Sequence, residues 1–290
     1  MQTELLKNRI IELCMKNEYE LMEYLMEFLQ KFDYKPKTDK EGIHYLYAKG
    51  SKQCPILLIA HLDTVFNWQP EEFFYDKDKA VLWSPHGLGT DDRAGVLAIM
   101  ELIRDGYRPS VLFTTGEEAG GTGAIQFSAD FPVCPFKGIK YMIELDRANS
   151  NDCVFYSCDN KEFESYIVGF DFQTQQGSFT DISILMPMWK IAGVNLSIGY
   201  SMEHTYAEHL KIIDLMCTIN KVSAMLDDAL SAKKYKYVKK IAPKLPQYCS
   251  GCYRPFRHKD VPHCYKDNIT NEILTYCDEC NAFIQQYQVD

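Results

Sequence analysis

The sequence predicts an α/β protein: a three-layer α/β/α body on a mixed, mostly parallel sheet, followed by a small cysteine-clamped domain. Three observations carry this. Short runs rich in Ile, Val, Leu and Tyr alternate with helical patterns over most of the chain, as expected where helices cover both faces of a sheet. Acids and histidines recur at the ends of those runs, the edge where such sheets carry their chemistry. Two CxxC pairs, CSGC and CDEC, crowd into the last forty or so residues, at the spacing of a zinc ribbon.

The elements follow in order. Residues 3–31 place Leu5, Ile10, Leu13, Leu21, Tyr24, Leu25 and Phe28 at helical spacing, which predicts one long amphipathic helix. HYLYA, PILLIA, AVLWS, SVLFTT and KYMIEL then read as short strands. RAGVLAIMELIRDG between two of them is a helical pattern closed by a glycine. A strand near VNLSIG and a helix over about 207–230 complete the body, assigned to residues 1–232. Residues 233–247, KKYKYVKKIAPKLPQ, are lysine-rich, contain prolines and lack a sustained apolar face, so they read as a basic linker. Residues 248–290 form the ribbon. No internal repeat or low-complexity tract is present.

Bulk properties narrow the class. At 290 residues the chain can bury a sizeable core. A net charge of -9 argues against a general nucleic-acid binder. No window approaches about eighteen uninterrupted apolar residues, and charges run through MQTELLKNRIIELCMKNEYE, so neither a membrane span nor a secretory signal is expected. The expected location is the cytoplasm. Of 11 cysteines, the scattered ones read as small core residues.

AHLDTV closes the run CPILLI with His61 and Asp63 two apart, pointing to the same side. A metal-binding His commonly hands its second ring nitrogen to a carboxylate or carbonyl; a strand-end His with a turn-forming Asp is the plainer alternative. GLGTDDRAG adds Asp91 and Asp92 before a helix, and TTGEEAGGTGA adds Glu117 and Glu118. IELDRA adds Glu144 and Asp146, and IGYSMEHTYAEHL adds His204. Singly, each acid suits a helix cap or first turn. Together they would crowd like charge on one sheet edge, which is costly unless cations neutralise it. Two divalent metals answer that, since a bridging carboxylate needs a cation on each side.

HLDTV, GTDDRAG, TTGEEAGGTGA, ELDRA, GSFTD and EHT, in that order, resemble the co-catalytic dinuclear zinc exopeptidases and deacylases. That superfamily includes leucine-type aminopeptidases, peptidase T, glutamate carboxypeptidase and acetylornithine deacetylase. The resemblance spans roughly residues 56–210. It implies His61 and Asp146 on one zinc, Glu118 and His204 on the other, and Asp91 bridging them. Asp63 would orient His61 and Glu117 would be the general base. Zinc is the expected metal, with manganese or cobalt as alternatives for so oxygen-rich a site. Asp92 reads as a helix-start residue. His209, placed inside the last helix, competes with His204, and His86 belongs to a turn. Gly177, Thr180 and Asp181 resemble a substrate-side loop or form a plain turn. Tyr200 and Tyr206 are oxyanion candidates only by proximity. Glu203 and Glu144 are candidates to hold an α-amino group, or are exposed acids.

About 58 residues separate Asp146 from His204, too few for the α/β lid that carboxypeptidase and deacetylase members insert there, so a lidless body is expected. Cys249, Cys252, Cys277 and Cys280 are the expected ligands of one structural zinc. His258, His263 and Cys264 read as loop residues between the knuckles. The expected function is hydrolysis of an amide bond, foremost by an aminopeptidase acting on small peptides. The alternatives are a deacylase of small N-acyl amino compounds and a non-catalytic adaptor. The ribbon, with Arg254, Arg257 and the lysines before it, permits contact with protein or nucleic acid.

Overall fold

Two helices open the chain where one was expected: α1 (Gln2–Cys14) and α2 (Glu18–Lys31). The apolar stripe continues across the break, but Asn17 interrupts the helix with a capping box. Its side-chain oxygen accepts the Glu20 N–H at 3.0 Å, and the Glu20 carboxylate accepts the Asn17 N–H at 3.0 Å. Asn17→Ala is expected to lower the unfolding free energy by about 1 kcal/mol, read as a shift in urea midpoint, with Asn17→Ser close to wild type.

This computed structural model describes residues 2–240, 248–256, 261–266 and 273–287. After α2 come β1 (Lys37–Thr38), β2 (Tyr45–Ala48), β3 (Ile56–His61), β4 (Phe74–Asp76), β5 (Val81–Trp83), α3 (Thr90–Arg104), β6 (Ser110–Thr114) and α4 (Thr122–Asp130). Then follow β7 (Tyr141–Arg147), β8 (Asp152–Val154), α5 (Lys161–Val168), β9 (Gln173–Thr174), α6 (Asp181–Trp189), β10 (Gly193–Ser197), β11 (Tyr200–Ser201), β12 (His209–Lys211) and α7 (Ile212–Asp227). Eight strands form the main sheet in the order β1-β2-β6-β3-β7-β10-β8-β9. Its middle, β6-β3-β7-β10, is parallel, and β2 and β8 add antiparallel neighbours.

Parallel strands need covered faces. Accordingly β3, β6 and β10 are buried at every residue. Helix α3 lies on β3 and β7 with α1 and α7 beside it, while α4 and α6 pack together and against β2 and β10. The result is the expected three-layer α/β/α body. Gly95 is required where α3 crosses the sheet, since a Cβ there would lie 2.1 Å from the Leu145 carbonyl oxygen.

Three expectations shift. β5, from AVLWS, leaves the main sheet and joins a smaller one in the order β11-β12-β5-β4. Its Trp83 is exposed and stacks on Phe74 at 4.7 Å. The last helix starts at Ile212, because His209–Lys211 is drawn into pairing with β5; His209 is therefore a strand residue. Finally, the body runs to Lys240 rather than ending at Ala232. In KYKYVKK lysine alternates with Tyr, the period of a strand, and the segment lies along the body. Tyr235 exchanges backbone bonds with Ala192 and Lys140, and Lys240 N–H reaches the Ser157 carbonyl at 2.7 Å. Tyr235 is buried against Tyr141, Phe163 and Tyr166. Residues 241–247 of the expected linker lie outside the described residues.

The second unit, residues 241–290, contains the antiparallel pair β13 (His263–Lys266) and β14 (Ile273–Tyr276), then α8 (Asp278–Tyr287). His263 and Cys264 are strand residues rather than loop residues; His258 and Arg257 lie outside the described residues.

Candidate metal centre

The parallel register brings the strand ends together: His61 ends β3 opposite Thr114, the end of β6, and β7 carries Asp146 alongside. Asp91 sits in the non-helical entry to α3, joined to Asp92 by a cis peptide. Glu117 and Glu118 occupy the turn between β6 and α4, which the left-handed Gly121 (φ 75) closes. His204 follows β11 and is itself left-handed, at φ 61.

Asp91 lies between two imidazoles. Its Oδ1 is 3.2 Å from His61 Nε2 and its Oδ2 is 3.2 Å from His204 Nε2. Asp146 Oδ1 is 3.4 Å from His61 Nε2, and Glu118 Oε1 is 2.9 Å from His204 Nε2. His61, Asp91 and Asp146 thus offer ligand atoms within 4.8 Å of one another, as do Asp91, Glu118 and His204. A third group of the same kind joins His61, Glu117 and Glu118. These are candidate metal-binding groups, and imidazole with carboxylate is a donor set for zinc, cobalt or manganese.

The electrostatics point the same way. Burial and nearby acids raise Glu117 to about 8 and Glu118 to about 7, while burial raises Asp146 to about 6. Burial pushes His61 down, but Asp146, Asp63 and Asp91 outweigh it and hold the ring protonated well above its ordinary range. A hydrogen bond to Asp91 lifts His204 to about 9. Asp91 is held low: burial opposes, but bonds from His204 and His61 prevail. This is carboxylate crowding relieved by protons, the condition that divalent cations would replace.

A surrounding layer fixes each group. Asp63 accepts the backbone N–H of Glu117 and of Glu118, one per oxygen, both at 3.1 Å. Its carboxylate lies 3.3 Å from His61 Nδ1, whose hydrogen-bond partner is the Asp63 carbonyl at 3.1 Å. One residue therefore orients the ring and holds the Glu pair. Asp146 receives Tyr200 Oη and Thr180 Oγ1, each at 2.9 Å, and Asn195 clamps its backbone. Asp92 accepts the Gly95 N–H at 2.9 Å, the expected helix-start role, and also the His61 N–H at 3.3 Å.

Glu208 has no counterpart in the sequence reading. It is buried and accepts Thr90 Oγ1 at 2.7 Å and the Asp91 N–H at 3.3 Å. Its only signal was an acid shortly after His204. Glu144 is fully buried, bonded to the Ile182 N–H, so it is not an exposed acid and does not reach the cavity. Glu203 does line the cavity, with Tyr200 and with Gly177 to Phe179 of the GSFTD loop. Asp181 of that loop is buried and accepts from Thr114. Tyr206 is exposed, its ring 6.0 Å from that of Phe66. His86 occupies a turn, and neither it nor His209 belongs to a candidate metal group among the described residues. The cavity is about 160 Å³ and shares Tyr156 and Gly177 with a neighbouring one of about 730 Å³.

Residues 43–176 match the model of Peptidase family M28. The matched segment contains His61, Asp63, Asp91, Glu117, Glu118 and Asp146; His204 and the four clustered cysteines lie beyond it. A protein named "Probable carboxypeptidase" from Aspergillus clavatus is 30% identical over 133 residues, 39% of this chain and 31% of that one. Another of that name from Ajellomyces capsulatus is 34% identical over 103 residues, 31% of this chain and 23% of that one. The chain thus spans no more than about a third of these curated relatives. Aminopeptidase PepT of Bacillus cereus superposes with a TM-score of 0.65 at 15% identity, over 79% of this chain and 99% of that one. A Staphylococcus aureus tripeptidase gives the same values. Porphyromonas gingivalis glutaminyl cyclase superposes with a TM-score of 0.55 at 14% identity, over 78% of this chain and 96% of that one. At such identities the likeness is one of fold, the mixed α/β fold expected.

In the second unit Cys249, Cys252, Cys277 and Cys280 bring their sulfurs within 4.8 Å of one another. Cys249 Sγ accepts the N–H groups of Cys252 and Cys277 at 3.5 and 3.4 Å. Burial opposes its ionisation, but these bonds lower the thiol to about 6, as suits a metal-binding thiolate. His263 pairs with Asp278 at 2.7 Å, and neither His263 nor Cys264 is in the group.

Proposed function

We propose that the chain is a metallo-exopeptidase, foremost an aminopeptidase of small peptides, that uses two divalent ions. The observation that carries this is Asp91, whose two oxygens face His61 and His204 at equal distance. His61 and Asp146 would hold one ion and Glu118 and His204 the other, with Asp91 shared. When bound, such ions polarise a substrate carbonyl and acidify a water. Glu117, lining the cavity, takes a proton from the attacking water and delivers it to the leaving amine. Asp63 holds Glu117 and Glu118 through their backbone N–H groups, and Tyr200 and Thr180 hold Asp146. The peptidase-family match over residues 43–176 supports the reading.

The four cysteines would hold a structural zinc. The proposed setting is the cytoplasm, where thiols stay reduced and available to a metal. Among the described residues no helix is long and apolar enough to cross a membrane.

Metal analysis of the wild type and His61→Ala, with hydrolysis of aminoacyl-anilides on the same samples, tests the proposal. About three zinc ions per wild-type chain are expected, with metal and amidase activity falling together in the variant. A single zinc in both, and no activity after added zinc, manganese or cobalt, would leave the ribbon as the only metal site.

A further inference from the structure

We propose that Arg147 is the carboxylate-binding residue of the cavity and holds the free α-carboxylate of the amino acid released from the scissile amide. This rests on the peptidase reading above and names its substrate class.

Arg147 follows Asp146 at the end of β7, and strict strand alternation would send the two side chains to opposite faces. The pairing with β10 breaks that alternation. Asn195 lies opposite Glu144 and Ser197 opposite Arg147, so β7 carries one residue more than β10 over this stretch. Such a bulge re-aims side chains, and Asp146 and Arg147 both line the cavity of about 160 Å³.

The guanidinium is unmatched there. Its Nε is buried with no hydrogen-bond partner. Among the described residues no carboxylate forms an ion pair with it, although Asp91, Glu117, Asp146 and Glu203 line the same cavity. Arginine stays charged in proteins, and a buried guanidinium N–H without an acceptor is costly. Two acids of that cavity are committed elsewhere: Asp146 to His61, Tyr200 and Thr180, and Asp91 to the two histidines.

An anion that enters the cavity would supply the missing partner. A planar carboxylate matches the two-pronged guanidinium. The volume is well below the roughly 300–1,000 Å³ of a typical ligand site, which suits a small substrate such as a dipeptide. Glu203, which lines the same cavity, leaves an acid for the α-amino group, so on a dipeptide aminopeptidase action and carboxylate recognition coincide.

The test compares kcat/KM for alanyl-alanine and alanyl-alaninamide on the metal-loaded full chain. The wild type is expected to prefer the free acid by about 10–100-fold, a preference that disappears in Arg147→Met through KM. Arg147→Lys should recover only part of it, having charge without the fork. Equal rates on the two peptides in the wild type, or an undiminished preference in Arg147→Met, would overturn the assignment. So would a preference for glutamyl-alaninamide over alanyl-alaninamide that vanishes in Arg147→Met, since the cation would then read the acyl residue. Calorimetry with leucine and leucinamide separates this from the hydrolase reading. If no peptide is cleaved with any metal, tighter binding of leucine that is lost in Arg147→Met still supports the carboxylate site, and equal binding ends it.

Discussion

Glu117→Gln is expected to retain the wild-type fold and metal content and to lose about 10²–10⁴-fold in turnover, the range supplied by a positioned general acid-base. The substitution keeps the shape of the side chain and removes only its capacity to carry a proton. Its backbone N–H would remain on Asp63, as Glu118's does, so neighbouring groups should not move. The prediction also separates two roles that the geometry leaves adjacent, because His61, Glu117 and Glu118 share one candidate ligand group. If Glu117 were a ligand, Glu117→Gln would lower metal content along with activity. Metal content by plasma emission, paired with kcat on the same preparation, distinguishes these. More than about a tenth of wild-type turnover with metal intact would remove Glu117 from proton transfer, whose loss costs at least about 10²-fold.

Much of the body was legible because its central strands are short runs dominated by Ile, Leu, Val and Phe, and runs of that kind suit the covered strands of a parallel sheet. What was misread turns on local competition between patterns. The stripe of Leu13, Leu21 and Leu25 is compatible with an unbroken helix; the Asn17–Glu20 box decides otherwise, and its signature stood in the sequence. KYKYVKK looked like a linker because lysine dominates it, yet its Tyr side chains alternate, and Tyr235 packs into an aromatic cluster. At the site, residues at strand ends were readable because topology alone brings strand ends together. Residues that act through long-range hydrogen bonds were not. Glu208 meets Thr90 across 118 residues of chain, and the placing of Arg147 at the cavity depends on a bulge between two strands. Neither leaves a local pattern, whereas Asp63, two residues from His61, could be inferred in one of its two roles.

Asp91→Asn should have the widest effect of any single change at the centre. An asparagine offers one oxygen and one NH2 group, so only one of His61 and His204 could still face an acceptor. If Asp91 is shared, the variant should lose about two metal ions per chain and essentially all amidase activity, keeping the single ion expected at a closed four-cysteine site. Loss of one ion would place Asp91 on one metal only, and unchanged content would exclude it as a ligand. Unfolding is not the expected cause of metal loss, because the amide preserves volume and Glu208 still receives the Thr90 hydroxyl and the backbone N–H of residue 91. Far-UV circular dichroism checks that point directly. Full ellipticity with about two ions missing would mean that the two imidazoles, 3.2 Å from opposite oxygens of one carboxylate, depend on it for both metals.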